Sequence, residues 1–270
     1  MQIDHSDLIY DIAVIGGGIA GAGIARDASL RGLKVVLFEK NGFGSGTSSK
    51  SSKLIHGGIR YLELSWNALS KAKFGEAWKN LRFVFLSLKE SRVLKKIAPD
   101  LVQPLPLLIP IYKSAPRGRL SIFFGATIYF FLGLLSGGAR FPKVFWRRRS
   151  VLRYLPELQP EFLRGGILIW DHLTNDLELV KATMASAGRH GAQCLEKAEV
   201  TAYEHDQLRN LCVVSVWMMD GDPHRFFAKK LINASGPWID KLRAIHGNKD
   251  RFLIPVAGSH IELPKFISHS

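Results

Sequence analysis

The amino-terminal part of the chain alternates between short apolar runs and one amphipathic stretch. The run IYDIAVI (residues 9–15) is almost continuously apolar, which is typical of a strand buried on both faces. The next segment places Ile19, Ala22 and Ile24 at helical spacing, and the run KVVLFEK (34–40) predicts a second buried strand. These elements predict a β–α–β unit at the start of the chain.

Further strands and helices are predicted along the rest of the chain. They are a helix or helix pair over 67–97, an extended proline-containing segment over 101–112, a strand over 165–171, a helix over 176–190 capped by Asn175, β-like runs over 192–203, 211–219 and 226–234, and strand patterns over 252–264. Because strands recur far apart in the sequence, interleaved domains are expected rather than consecutive ones.

The most apolar stretch lies between two groups of basic residues. Residues 120–135 (LSIFFGATIYFFLGLL) carry no charge over sixteen positions, which is shorter than the roughly 20 residues of a membrane-spanning helix. Between Asp100 and Glu157 there is no acidic residue but nine lysines and arginines. Two interpretations remain open: a helix lying in a membrane interface with its bases on anionic headgroups, or a buried core helix beside a solvated basic loop.

Composition narrows the class of protein. The 270 residues are 47% hydrophobic and carry a formal net charge of +14, so a folded basic protein is expected rather than a disordered chain. The two cysteines, Cys194 and Cys212, predict core thiols in a reducing compartment. No histidine shows ligand spacing and no nucleic-acid recognition motif accompanies the basic cluster, so neither a metal nor a nucleic acid is predicted. The acidic, polar N-terminus argues against export.

The first predicted strand is followed at once by a glycine fingerprint. Gly16, Gly17, Gly18 and Gly21 fit G-x-G-x-x-G, and Glu39 ends the next strand, 21 residues after Gly18. Such glycines allow a tight turn and let backbone N–H groups approach a pyrophosphate, while the acidic residue accepts hydrogen bonds from a ribose. The alternative is a glycine-rich turn that only packs the helix on the strand, but the strand, the helix and Glu39 together favour a dinucleotide site.

Two features favour FAD over a nicotinamide dinucleotide. A Ser/Thr-rich loop follows the β–α–β unit instead of another β–α unit, and Asn233-Ala234-Ser235-Gly236 is a late strand-to-turn element of the kind that returns the chain to an FAD sheet. The predicted fold class is therefore α/β, a two-dinucleotide-binding-type FAD fold with a Rossmann-like N-terminus, interleaved with a mixed-sheet substrate domain.

Three further motifs carry a family resemblance. The strings TSSKSSKLIHGGIRYLE (47–63), INASGPWID (232–240) and AGSHIELPK (257–265) strongly resemble the FAD-dependent, quinone-linked glycerol-3-phosphate dehydrogenase family. The resemblance implies oxidation of sn-glycerol 3-phosphate to dihydroxyacetone phosphate by hydride transfer to the flavin, with the electrons passed to a membrane quinone. It also favours the membrane interpretation of residues 113–153, as a peripheral attachment to the cytoplasmic face of the cell membrane.

The resemblance also implies site residues. Thr47, Ser48, Ser52 and Lys53 fall in its flavin-lining loop, and Arg60 corresponds to a substrate-site arginine with Tyr61 beside it. His260 corresponds to the active-site histidine and is the candidate base. The predicted cofactor site further includes Lys40, Ala234 and Gly236, whereas His56 is expected only to order its loop by a hydrogen bond.

The expected organisation is one incomplete FAD-dependent oxidoreductase domain over 1–270. FAD-binding segments are expected at 8–62, 192–204 and 226–245, and substrate or membrane segments at 63–191 and 246–270. Because the resemblance implies that the chain stops inside its substrate sheet, we expect the isolated chain not to turn over. Two other functions stay open: an amine or amino-acid oxidase of the same superfamily, and a non-catalytic truncated flavoprotein.

Overall fold

The structure is a computed structural model that describes residues 3–114, 118–219, 221–245, 247 and 250–259, with side chains described from residue 8 onward. Its strands are β1 (Ile3–Ile15), β2 (Val35–Phe38), β3 (Leu54–Ile55), β4 (Val102–Tyr112), β5 (Lys143–Phe145), β6 (Leu163–Thr174), β7 (Gln193–Leu195), β8 (Glu199–Asp206), β9 (Leu211–Trp217) and β10 (Pro223–Asn233). Its α-helices are α1 (Ile19–Leu30), α2 (Ile59–Ser70), α3 (Phe74–Ile97), α4 (Arg119–Leu135), α5 (Arg148–Tyr154), α6 (Asp176–Arg189) and α7 (Ile239–Ile245). Single 3₁₀ turns lie at Thr47–Ser49 and Gly236–Trp238.

These elements form two compact units, which confirms the α/β fold class. Among the described residues, unit 1 comprises those up to 52 together with Asn175–Ser259, and unit 2 comprises Lys53–Thr174. The structural boundaries differ from the expected ones: 53–62 belong to unit 2, whereas α6 and the described residues after 245 belong to unit 1. A hydrophobic pattern marks strands and helices but not the unit to which each belongs, so these boundaries could not be found from it.

Unit 1 is built on a six-stranded sheet in the order β7-β2-β1-β10-β9-β8. The first four strands run parallel to one another, and β9 runs antiparallel to both β10 and β8. Val14 and Leu37 face a core cluster shared with α1 and α6, while Ala13 and Val36 face a second cluster shared with β9 and β10. Burial on both faces explains why these strands are continuously apolar, and the predicted β–α–β unit is confirmed.

One predicted run in unit 1 proves to be two strands. The β-like run over 192–203 breaks after β7, where Lys197 adopts a positive φ of 53°, and β7 and β8 lie at opposite edges of the sheet. The strand predicted over 252–264 is absent from 252–259, and its remainder lies outside the described residues. The helix predicted after Asn175 is confirmed by α6. The predicted cap is also confirmed, because the Asn175 side chain accepts the Glu178 backbone N–H at 3.3 Å.

Unit 2 is built around β6, which pairs antiparallel with β4 along one side and with β3 and β5 on the other. Ile167 and Ile169 pack against α2, α3 and α4, whereas Leu168 faces the opposite side and packs against α5. The helix or helix pair predicted over 67–97 is a pair, and it begins earlier than expected. It starts at Ile59, directly after the left-handed Gly58, and is interrupted at 71–73, where Ala72 has a φ of +56°.

The prolines of β4 explain how an extended, proline-containing segment becomes a strand. Pro104, Pro106 and Pro110 all occupy even-numbered positions. Val102 is also even-numbered, and its backbone N–H donates to the carbonyl oxygen of Ala98 rather than to β6. The backbone N–H groups at even-numbered positions of β4 therefore point away from β6. Proline lacks an N–H and is tolerated there, and it leaves the outer edge of β4 unable to pair with another chain.

The apolar run forms α4, and this helix is half buried. Ala126, Tyr129 and Gly133 are buried in unit 2, whereas Leu120, Phe124, Ile128, Phe131 and Leu135 form a stripe on the exposed side. The buried-core interpretation therefore holds for one face of the helix, and the membrane interpretation of its exposed apolar face stays a prediction. No helix within the described part of the chain is both long and apolar enough to cross a membrane.

Candidate functional site

The turn between β1 and α1 requires its glycines. Gly16 has a φ of +111°, which L-residues rarely adopt, and its N–H donates to Phe38 O at 2.8 Å. A Cβ on Gly21 would lie 1.9 Å from the carbonyl oxygen of Gly16. The chain therefore passes too close to itself at this turn for any side chain.

Glu39 is anchored to the same turn. Its Oε2 accepts the Gly17 N–H at 2.6 Å, and its Oε1 accepts the Asn41 N–H at 2.8 Å. A carboxylate oxygen has a second lone pair, so both oxygens retain the capacity to accept a hydroxyl hydrogen. The backbone thus orients the carboxylate, and its role toward a ribose stays a prediction.

The predicted Ser/Thr loop folds back onto the start of α1. Ser48 Oγ accepts the Ile19 N–H at 3.0 Å, which supplies the cap that Gly18, without a side chain, cannot provide. Thr47 begins the 3₁₀ turn that carries Ser48, while Ser52 is exposed at the end of this segment of unit 1. The loop therefore brings hydroxyl groups to the helix end where an anion would bind.

The late strand-to-turn element returns to the same glycines. The Ala234 N–H donates to Ile15 O at 2.8 Å, and a Cβ on Gly16 would lie 2.5 Å from Ala234 O. Asn233 Oδ1 accepts both the N–H and the Oγ–H of Ser235, and Gly236 takes a positive φ of 58°. The end of β10 thus closes one side of the glycine turn.

The two predicted lysines make different contacts within their own units. Lys40 Nζ pairs with Glu199 Oε1 at 2.6 Å in an exposed ion pair of unit 1. Lys53 begins unit 2 with a φ of +59°, and its carbonyl accepts the Thr174 N–H at 2.9 Å. Their roles toward a cofactor remain predictions.

In unit 2 the motif HGGIRY forms a turn and the first turn of α2. Gly58 adopts φ +74° and ψ +47°, and its N–H donates to His56 Nδ1 at 3.1 Å, which confirms the loop-ordering role of His56. Arg60 is exposed, and Tyr61 packs on Phe83 with ring centroids 4.4 Å apart. His260 lies outside the described residues.

Sequence reasoning missed two residues that hold this turn. Tyr129 Oη donates to Asp171 Oδ1 at 2.5 Å, and the Gly57 N–H donates to both, at 2.9 Å to Tyr129 and 3.3 Å to Asp171. All three residues are buried, and burial raises the pKa of Asp171 and that of Tyr129 above their usual ranges. The available signal was one tyrosine inside an apolar helix and one aspartate at the end of the apolar run GGILIW.

The described residues of unit 1 suit a dinucleotide. The glycine turn packs so closely that Cβ atoms would clash with neighbouring backbone and side chains. The N-terminus of α1 attracts anions, and Glu39 lies directly after β2 and bonds to the turn. A parallel sheet with this turn defines the class of Rossmann-like dinucleotide-binding proteins.

Comparison with known proteins narrows the class to a family. The family described as FAD dependent oxidoreductase matches residues 11–269, and the chain belongs to it. FAD is the cofactor of this family, as expected from the late return element.

Individual relatives agree with the resemblance. The chain is 36% identical to a probable mitochondrial glycerol-3-phosphate dehydrogenase of Caenorhabditis elegans, over 97% of this chain and 35% of that protein. It is 33% identical to an alpha-glycerophosphate oxidase of Enterococcus casseliflavus, over 93% of this chain and 40% of the other. The glycerol-3-phosphate dehydrogenase of Bacillus halodurans, solved with FAD, superposes with a TM-score of 0.65 at 29% identity, over 91% of this chain and 38% of that one. The chain thus spans about 35–40% of the length of these relatives.

Proposed function

We propose that this chain binds FAD through unit 1 and takes part in the oxidation of sn-glycerol 3-phosphate to dihydroxyacetone phosphate. One observation carries the proposal: similarity to a relative named as a glycerol-3-phosphate dehydrogenase runs through 97% of the chain and so includes both units. Three structural neighbours named as a glycine oxidase, an L-proline dehydrogenase and an L-amino acid deaminase are 20%, 19% and 12% identical to this chain, so they support the fold alone.

In this proposal the glycine turn and the start of α1 hold the pyrophosphate, and Glu39 holds a ribose. The other proposed contacts with FAD come from the side chains of Thr47, Ser48, Ser52, Lys40 and Lys53. The backbone at Ala234 and Gly236 is also proposed to contact FAD. When bound, FAD supplies the acceptor for the hydride that leaves C2 of the substrate. The residues of the chain bind FAD and the substrate, orient them toward each other and exclude water from the site.

Unit 2 contributes Arg60, whose guanidinium is suited to a phosphate because it forms two parallel charge-assisted hydrogen bonds. Tyr61 lies beside it, and His260 is the proposed base. The Gly57–Tyr129–Asp171 hydrogen bonds support this assignment, because they hold the turn from which Arg60 projects. A membrane quinone is the proposed electron acceptor, and oxygen is the alternative that the relative named as an oxidase suggests.

We also propose that residues 113–153 attach the protein peripherally to an anionic membrane on the cytoplasmic side. The exposed apolar stripe of α4 supports this, since basic residues flank it at Arg119 and at Arg147–Arg149. An apolar face beside cationic groups suits an interfacial helix.

Anaerobic titration of the FAD-loaded chain with glycerol 3-phosphate tests the main proposal. We expect a saturable change in the flavin absorption spectrum with glycerol 3-phosphate and none with glycerol, which lacks the phosphate. Arg60→Gln should weaken the response at least tenfold, whereas the exposed Arg82→Gln should leave it unchanged.

The same titration separates the alternatives. Bleaching by glycerol 3-phosphate identifies a catalytic chain, and a spectral shift without bleaching identifies a non-catalytic flavoprotein. Reoxidation by a soluble quinone or by oxygen then distinguishes a dehydrogenase from an oxidase. Bleaching by glycine or proline instead, or no response to glycerol 3-phosphate, contradicts the proposal.

A further inference from the structure

Unit 2 contains a cavity that the proposed function does not use. Its volume is about 310 Å³, near the lower end of the range for small-molecule sites, and it lies among α3, α4 and β6. Ser91 and Arg92 line it from α3, Asp171 and His172 from β6, and Arg140 from the segment after α4.

Three buried polar side-chain atoms have no partner within the described part of the chain, and two of them, of opposite character, belong to residues that line this cavity. These two are Nη1 of Arg92 and Oδ2 of Asp171. Buried polar groups in folded proteins are nearly always hydrogen-bonded, so such a pair indicates a missing water or ligand. The absence of a side chain at Gly133 leaves room for the guanidinium, because a Cβ there would lie 3.2 Å from Arg92 Nη2.

The surrounding charge favours an anion. Burial and the cations Lys95, Arg92 and Arg140 all lower the pKa of His172, which shows that positive charge is concentrated at this point. Arg140 is exposed and stacks over Trp170 at 4.7 Å from the ring centroid, an arrangement that leaves the edge of its guanidinium available for hydrogen bonds.

The Asp171 carboxyl leaves one oxygen for a ligand. Its Oδ1 accepts hydrogen bonds from Tyr129 and Gly57, whereas its Oδ2 has no partner within the described residues. A hydroxyl of a partly protonated phosphate can donate to this oxygen.

We propose that this cavity binds one small oxyanion of the phosphate class, held by the guanidinium groups of Arg92 and Arg140, with Asp171 Oδ2 accepting from a hydroxyl of the anion. The site is distinct from Arg60 and does not rest on the proposed function. Phosphate fits because its oxygens can accept from both guanidinium groups while a hydroxyl of the same anion donates to Asp171.

Calorimetric titration of the whole chain with inorganic phosphate, in a phosphate-free chloride buffer, tests the proposal. We expect one saturable site in the unmodified protein and at least tenfold weaker binding in Arg92→Gln and Arg140→Gln. Arg82→Gln on α3 removes the same charge at an exposed position and should bind phosphate as the unmodified protein does. Arg60→Gln shows whether the anion instead occupies the proposed substrate site.

Arg140 is exposed, so its substitution leaves the core intact even if Arg92→Gln fails to fold. Unchanged binding in Arg140→Gln, or absence of saturable binding in the unmodified protein, overturns the proposal. An equal loss in Arg82→Gln or Arg60→Gln also overturns it, because the anion would then respond to surface charge or occupy the substrate site. Competition by a water-soluble short-chain phosphatidic acid is expected if the cavity also accepts a lipid headgroup, and its failure assigns the site to free phosphate; both results agree with the proposal.

Discussion

Gly21 and Gly23 lie two residues apart on α1 and have opposite surroundings. A Cβ on Gly21 would meet the carbonyl oxygen of Gly16 at 1.9 Å, whereas a Cβ on Gly23 would meet nothing within 4 Å. Gly21→Ala should therefore distort the turn, lower the free energy of unfolding by about 1–3 kcal/mol and abolish FAD binding. Urea unfolding and FAD fluorescence quenching measure the two effects.

Gly23→Ala is the matched control. It should bind FAD normally and be more stable by about 0.5–1 kcal/mol, because alanine loses less backbone entropy than glycine in a helix. Equal FAD binding by the two variants would mean that the glycine turn does not hold the cofactor.

Asp171 should make stability depend on pH. Burial raises the pKa of Asp171 in the folded protein above the value of about 3.9 that it has in the unfolded chain. Between these two pKa values the folded state binds more protons than the unfolded state. The contribution to stability is complete below the unfolded pKa and is lost as the pH rises through the folded pKa.

Asp171→Asn cannot titrate and isolates this contribution. The free energy of unfolding of the unmodified protein relative to this variant should fall with rising pH through that window and then stay level. Urea titrations across a pH series measure the difference. A difference that does not change with pH would show that Asp171 is not kept neutral by burial.

At the scale of elements, α4 presents its apolar stripe to solvent within unit 2. Phe124→Ser combined with Phe131→Ser should remove most binding to anionic liposomes, since bases near the surface contribute about 1 kcal/mol each but the apolar face anchors the helix. Flotation assays at low and high salt measure the binding. The control combines Phe74→Ser with Trp78→Ser on α3, where both aromatic side chains are 69% exposed. This variant should float with the liposomes as the unmodified protein does.

Equal binding to neutral and anionic vesicles would contradict the electrostatic part of the membrane proposal. Absence of binding to either would contradict the whole of it.

At the scale of the whole molecule, residues 53–174 are inserted between the two sequence segments of unit 1, and the ends of those two segments lie close together. Ser51 Oγ donates to Asp176 Oδ2 at 2.7 Å within unit 1, and Lys53 O accepts the Thr174 N–H at 2.9 Å within unit 2. Deleting 53–174 and joining Ser52 to Asn175 through two glycines should therefore leave unit 1 folded, because the linker closes only a short gap. Circular dichroism and FAD titration of the shortened chain test this, and an unfolded product would show that unit 1 depends on unit 2.

The sequence predicted the parts of the site that depend on neighbours in the chain. The glycine turn, α1 and β2 form one continuous segment, and their apolar runs carried the signal. The run over 192–203 was read as one strand because β7 and the start of β8 follow each other closely in the sequence, and only the backbone break at Lys197 and their different pairing partners separate them. The start of α2 was missed because it depends on the left-handed Gly58 and not on a hydrophobic period.

The amino-acid sequence was sufficient for the glycine turn and the dinucleotide fold, because both depend on local spacing and on residues without a Cβ. It was sufficient for the family because three motif strings resemble those of its members. Tertiary structure decided what β10 contacts, where the two units divide and which face of α4 is buried. It also decided that Tyr129 and Asp171, 42 positions apart, meet at Gly57. Such contacts join residues across a folded core, and no periodicity along the chain records which buried polar group will find which partner.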